Sequence, residues 1–203
     1  MKKIVVLFSG AGSNLASIIE KVHKKKMRDN EDCLGIEIVA AITNNSEAKG
    51  IKIATDKHIS TVVLDHKLFD TREDFDEKLV KIIQSYEPDL VVMAGFMRIV
   101  TPIFTSQIKA INLHPSLLPK YKGAKAIERS FQSDDAEAGV TVHFVSDELD
   151  AGSVILQEQF DKPLYETYES FLEKIRTVEH EILPKAIRKV LCEHAKDKQS
   201  QAR

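Results

Sequence analysis

The chain has 203 residues, 43% of them hydrophobic, with 29 Lys and Arg against 31 Asp and Glu and a formal charge of −2. That length and apolar content support one large domain or two small ones, and the near-balanced charge excludes a global electrostatic demand for nucleic acid or an anionic membrane surface. The cysteines, Cys33 and Cys192, have no CxxC or His-rich neighbours, which argues against a disulfide framework or structural zinc and fits a reducing cytoplasm.

In chain order, the N-terminal MKKIVVLF start has only about six apolar residues before polar ones, too short for a signal-peptide core or a membrane span. KIVVLF (3–8), IEIVAAIT (36–43), STVVLD (60–65) and LVVMAG (90–95) are short, β-branched-rich stretches suited to strands buried on both faces. Between them, NLASIIEKVHKKK, EAKGIKIATDKH and TREDFDEKLVKIIQSYE repeat apolar residues at three and four, as amphipathic helices do. Alternating strand and helix predicts an open α/β sheet, mostly parallel, with a Rossmann-like N-terminal half. The pattern changes after residue 110. AINLH reads as a strand, 117–136 as loop plus short helix, and GVTVHFV and SVILQEQF as strands of a mixed C-terminal part. Residues 165–194 carry one long helical stripe that Pro184 should kink or split. A single domain over 1–195 with a frayed tail at 196–203 is the economical organisation.

The first loop, FSGAGSNL (8–15), places Gly10 and Gly12 between a strand and a helix, with Ser13 and Asn14 following. Bare N–H groups at a helix start suit a phosphate. A plain glycine turn with Ser13 as helix cap fits the same residues equally well. The P-loop is excluded because GK[ST] is missing, and the dinucleotide fingerprint because Leu15 stands near the position of its third glycine.

Asn112 and His114 lie two apart in a strand that ends at Pro115, so both side chains face one side at the strand's carboxyl end. An amide and a protonatable imidazole there suit an oxygen that becomes negative during acyl or formyl transfer. A strand-end histidine that merely caps a loop is the competing reading. Asp150, in VSDELDAG (145–152), is a candidate to orient His114 and raise its pKa, although an acidic solvated turn has the same composition. The remaining histidines, His143 among them, read as surface or structural residues.

SGAGSNL (9–15), LVVMAGFMRIV (90–100), INLHPSLLPKY (111–121) and GVTVHFVSDELDAGSVILQ (139–157) together closely resemble the glycinamide ribonucleotide formyltransferases, the folate-dependent transformylases of purine synthesis. The likeness runs from about residue 3 to residue 190. It implies the formyltransferase fold, with 10-formyltetrahydrofolate as co-substrate and no metal. It also implies roles: Gly12, Ser13 and Asn14 for the ribonucleotide phosphate, Glu179 near the nucleotide, and Met97, Arg98, Ile99, Val100 and Arg72 for the folate. Asn112 would contribute to both catalysis and folate binding, His114 would stabilise the oxyanion and protonate the leaving nitrogen, and Asp150 would keep His114 charged. The implied partners are small molecules, without nucleic acid or membrane, acting on a cytoplasmic monomer or weak homodimer.

Another user of 10-formyltetrahydrofolate, a hydrolase or a sugar-amine formyltransferase, is the runner-up. A ligand-binding module without turnover is the non-enzymatic alternative. The segment KGAKAIERSF after LLPKY departs from the Pro-Gly and histidines that close family members often carry, and resembles the transfer-RNA formyltransferases instead.

Overall fold

The computed structural model describes residues 1–25, 35–162 and 167–200. Strands β1 (Lys2–Phe8), β2 (Ile36–Thr43), β3 (Thr61–Val63), β4 (Leu90–Met93), β5 (Ala110–His114), β6 (Glu137–Phe144) and β7 (Val154–Asp161) form one sheet in the order β3-β2-β1-β4-β5-β6-β7. The first five are parallel, and β6 and β7 join antiparallel. This is the open, mostly parallel α/β sheet with a mixed C-terminal part that the sequence predicts. The helices are α1 (Ser13–Lys21), α2 (Gly50–Asp56), α3 (Arg72–Ser85), α4 (Pro102–Thr105), α5 (Ala126–Gln132) and α6 (Tyr168–Ser200).

Alternation along β1 divides the core. Ile4, Val6 and Phe8 face one apolar layer with α1 and α6, while Val5 and Leu7 face a second with α3 and α4. Each layer covers one face, so the central strands bury Val and Ile on both sides, and exposure is left to edge-strand residues such as Val63 and Val154. The sheet order reverses direction at β1 and β4, which opens a crevice at their carboxyl ends.

The expected stripe of α6 is buried at Phe171, Ile175, Ile182, Leu183, Ala186, Ile187 and Val190. Pro184 does not split it: one helix runs through to Ser200. Proline has no N–H to offer the carbonyl four residues earlier, that of His180. That carbonyl instead accepts from Ser17 Oγ at 2.8 Å and Lys21 Nζ at 3.2 Å, both on α1. Of the tail expected at 196–203, residues 201–203 lie outside the described residues. Cys192 on α6 is disulfide-bonded, against the expectation of no disulfide framework, and Cys33 lies outside the described residues.

Candidate active site

Strand β5 sends Ile111 and Leu113 into the α1 and α6 layer, so Asn112 and His114 point to the opposite face. Antiparallel pairing sets His143 opposite Asn112 and Thr141 opposite His114. The β6–β7 turn then brings Asp150 over the pair. Its Oδ2 lies 3.3 Å from His114 Nδ1, and its Oδ1 lies 3.5 Å from His143 Nε2 and 3.4 Å from Asn112 Nδ2. Asp150 is buried, unlike its exposed neighbours Asp147 and Glu148, so the acidic-turn reading fails at this position.

The turn is held tightly. Asp150 has φ 51, a left-handed conformation that costs a non-glycine residue of order 1 kcal/mol or more. Two residues on, a Cβ on Gly152 would stand 1.7 Å from the Phe144 carbonyl oxygen, so only glycine allows β7 to leave this close to β6. The Gly123 N–H donates to Asp150 Oδ2 at 2.8 Å and closes the ring of partners from the other side.

His114 sits between two acceptors, the Asp150 carboxylate at Nδ1 and the Tyr121 carbonyl, which takes Nε2–H at 2.9 Å. Both favour the imidazolium. Burial is nevertheless the largest influence and, helped by His143 and Arg129, holds His114 below the ordinary imidazole range. Asp150 does raise this pKa, as expected, but desolvation of the ring outweighs the carboxylate and the net shift is downward. For Asp150 the balance runs the other way. Burial pushes it up, yet hydrogen bonds from His143 and Gly123 and the nearby imidazoles bring it below the usual carboxylate range.

The loop after β1 lies at the crevice. Gly12, with φ 77, is the N-cap of α1, and Ser13 is already helical with no side-chain cap, which removes the reading of Ser13 as the cap. A Cβ on Gly12 would lie 2.6 Å from the Cα of Gly50, the first residue of α2. Among the described residues, the N–H groups of Ser13 and Asn14 at the helix start have no hydrogen-bond partner. Asn14 Nδ2 donates to Glu179 Oε2 at 3.1 Å, and the buried Asn14 Oδ1 is unpartnered. The structure thus brings together Asn14 and Glu179, 165 residues apart. Burial raises the Glu179 pKa, against the lowering effects of the Asn14 amide and Arg176.

The loop after β4 carries Met97, Arg98, Ile99 and Val100. Met97 is 80% and Ile99 52% exposed, an unusual state for apolar side chains of this size beside a buried cluster. Among the described residues, the backbone groups of Arg98, Ile99 and Val100 have no hydrogen-bond partner. The Arg98 guanidinium lies 5.1 Å from the centre of the Phe75 ring on α3. Arg72 opens that helix and is exposed, and no described contact joins it to the 97–100 segment. No group of three or more His, Cys, Asp or Glu among the described residues has the geometry to hold a metal ion.

The formyl transferase family model matches residues 2–187. The chain belongs to that family. It is 40% identical over 186 residues to the phosphoribosylglycinamide formyltransferase of Escherichia coli strain K12, covering 91% of this chain and 84% of that protein. It is 36% identical over 190 residues to the trifunctional purine biosynthetic protein adenosine-3 of Homo sapiens, covering 93% of this chain but only 18% of that much longer protein. The crystal structure of phosphoribosylglycinamide formyltransferase from Campylobacter jejuni superposes with a TM-score of 0.88 at 50% identity, over 93% of this chain and 97% of that one.

Within this formyl transferase, sequence reasoning missed three participants. His143 was read as structural, yet its Nε2 lies 3.3 Å from Asn112 Nδ2. Its alternation with Thr141 on an antiparallel neighbour of the Asn-x-His strand was the available signal. Tyr121 and Gly123 act through backbone groups, which residue type does not reveal. The atypical loop after Tyr121 turns toward the site, where the Gly123 N–H meets Asp150 at 2.8 Å and Lys122 pairs with Glu148 at 3.0 Å.

Proposed function

We propose that this chain transfers the formyl group of 10-formyltetrahydrofolate to the amine of 5-phosphoribosylglycinamide, within a single domain over 1–195, in the cytoplasm, as a monomer or weak homodimer. The observation that carries the reading is the cluster of half-buried Asn112 with buried His114 and Asp150, beside a helix start with unpartnered N–H groups. One element supplies donors for a developing oxyanion and the other a seat for a phosphate.

The unpartnered N–H groups of Ser13 and Asn14, with Gly12 giving close backbone approach, hold the phosphate. Asn14 Oδ1 and the Glu179 carboxyl, joined through the Asn14 amide N–H, accept hydroxyl groups of the ribose. The exposed apolar side chains of Met97 and Ile99 and the unpartnered backbone of Arg98, Ile99 and Val100 suit a flat heteroaromatic ring with donors and acceptors on its edge, such as a pterin; Arg72 on the rim attracts the folate's carboxylates.

In the reaction the neutral amine nitrogen bonds to the formyl carbon, the bond from that carbon to N10 breaks, and the proton lost by the amine is balanced by one gained at N10. Asn112 Nδ2–H and His114 donate to the formyl oxygen while it is negative. His114 gives up its bond to the Tyr121 carbonyl to reach the substrate. Asp150, 3.3 Å from Nδ1, stabilises the imidazolium at that moment by its negative charge without itself taking the proton. Because burial holds His114 low, the ring is a strong acid once protonated, suited to a weakly basic leaving nitrogen.

A spectrophotometric assay with 10-formyltetrahydrofolate, with and without 5-phosphoribosylglycinamide, tests this reading. Turnover that requires the ribonucleotide supports it. Formate release without the ribonucleotide would move the assignment to a hydrolase, and turnover only with an amino sugar to a sugar-amine formyltransferase.

A further inference from the structure

The exposed 97–100 segment is tied down at both ends by buried side chains from different elements. The Met97 N–H donates to Ser9 Oγ at 2.7 Å, and the Thr101 N–H donates to Asp76 Oδ2 at 2.6 Å. Ser9 and Asp76 are 8% and 2% exposed. We propose that Ser9 and Asp76 are positioning residues that clamp the two ends of this segment and so set the affinity for the formyl-folate donor, an inference that rests on the segment's being the folate seat.

Each anchor is itself held. Ser9 Oγ donates onward to Asn44 Oδ1 at 2.5 Å, and Asn44 Nδ2 lies 3.2 Å from His66 Nδ1, so the serine rotamer is fixed by a chain of polar groups reaching β2 and the turn after β3. Asn45 Nδ2 adds a bond to the Ser9 carbonyl at 3.2 Å. Asp76 projects from α3 next to Phe75, whose ring underlies Arg98. A carboxylate this buried is costly, and burial raises its pKa against the pull of the Thr101 N–H and Arg98. Its best-placed bond is spent on the segment's last N–H. Between the anchors lie the unpartnered backbone groups of Arg98, Ile99 and Val100. Fixing both ends of so short a stretch aims those groups before the ligand arrives, which lowers the ordering cost of binding.

A purely structural role is the competing explanation, since Asp76 also lies at the start of α4, where Thr101 is the N-cap. The two differ in what a substitution changes. Ser9→Ala and Asp76→Ala are expected to raise the KM for 10-formyltetrahydrofolate and the Kd for tetrahydrofolate roughly five- to tenfold, the effect of one lost hydrogen bond at each anchor. The KM for the ribonucleotide should stay near its wild-type value. Asp76→Asn, which keeps a carbonyl oxygen for the Thr101 N–H, should restore most of the folate affinity. Should Asp76→Ala not fold, Ser9→Ala and Asp76→Asn still decide the matter.

Equal rises in both KM values, or an unchanged folate KM in Ser9→Ala with the protein folded, would overturn the clamp. If the wild type ignores the ribonucleotide while tetrahydrofolate binding still weakens in these variants, the clamp stands and the acceptor assignment falls.

Discussion

His143 faces Asn112 directly across the β5–β6 pair, with its Nε2 3.3 Å from the amide nitrogen and its Nδ1 bonded to the Phe144 carbonyl at 2.8 Å. A carbonyl only accepts, so Nδ1 donates to it, while Nε2 stands between the Asn112 amide nitrogen and Asp150 Oδ1, 3.5 Å away. Asp150 Oδ1 accepts from Asn112 Nδ2 at 3.4 Å, so the amide presents N–H rather than C=O to the cluster, with the His143 ring packed beside it.

His143→Phe, which keeps a flat ring but removes the ring nitrogens that meet Asn112 and Asp150, should lower kcat about tenfold or more while leaving both KM values within about twofold, as for a lost oxyanion-orienting contact. Steady-state kinetics with both substrates check this. An unchanged kcat would return His143 to a packing role.

Asp150→Asn removes the charge and keeps the shape. The expected loss in kcat is of order 10²-fold, with tetrahydrofolate binding retained. Single-turnover rates alongside equilibrium titration separate the two. A variant that loses binding and rate together would show Asp150 to be a strut for the β6–β7 turn.

The pH behaviour follows from signs. His114 in the folded chain lies below the ordinary imidazole value of ~6.5, because its burial favours the neutral ring. Its contribution to stability is thus present above the unfolded value and is lost as pH falls through the folded one. The wild type should lose stability relative to His114→Gln on acidification below about pH 6.5. An NMR titration should place the His114 midpoint below that of an unfolded histidine; a midpoint above it would reverse the prediction.

Glu179 has the opposite sign from a salt-bridged acid. Burial raises its folded pKa, so its protonated form is favoured, and the stability it brings is present at low pH and lost as pH rises through the folded value. Glu179→Gln should remove that loss, leaving stability at neutral pH equal to or above wild type. The same variant should raise the ribonucleotide KM several-fold without touching that of the folate. Chemical denaturation at two pH values and the KM pair measure both effects.

Gly152→Ala should be destabilising by about 2 kcal/mol or more, because its methyl group meets backbone rather than a side chain that can move. Loss of activity should follow from displacement of Asp150. Denaturant unfolding gives the first quantity, and a stability change within about 0.5 kcal/mol would contradict it.

Local patterns carried much of this in the sequence. The β-branched runs and the i, i+2 placement of Asn112 and His114 depend on neighbours in the chain, and both are read from a few residues. His143 is different: its meeting with Asn112 depends on the register between β5 and β6, which nothing within either strand declares. The net downward shift of the His114 pKa is hidden in the sequence for a related reason. A carboxylate nearby is visible as an Asp in a loop, whereas depth beneath the surface is a property of the whole packed chain. Pro184 was read by its effect on one helix, when the answer lay in a second helix that supplies donors to the freed carbonyl.

That proline acts as a key between two rods. A regular helix offers a neighbour no main-chain acceptor in its middle, so two helices packed through apolar stripes can slide by a turn with little change in contact. The uncommitted His180 carbonyl breaks that equivalence, because Ser17 and Lys21 reach it in one alignment only. Glu179, the adjacent residue, is thereby delivered to Asn14 rather than one turn above or below it. Fidelity in the pairing of Asn14 with Glu179 is thus traded against one rung of helical bonding.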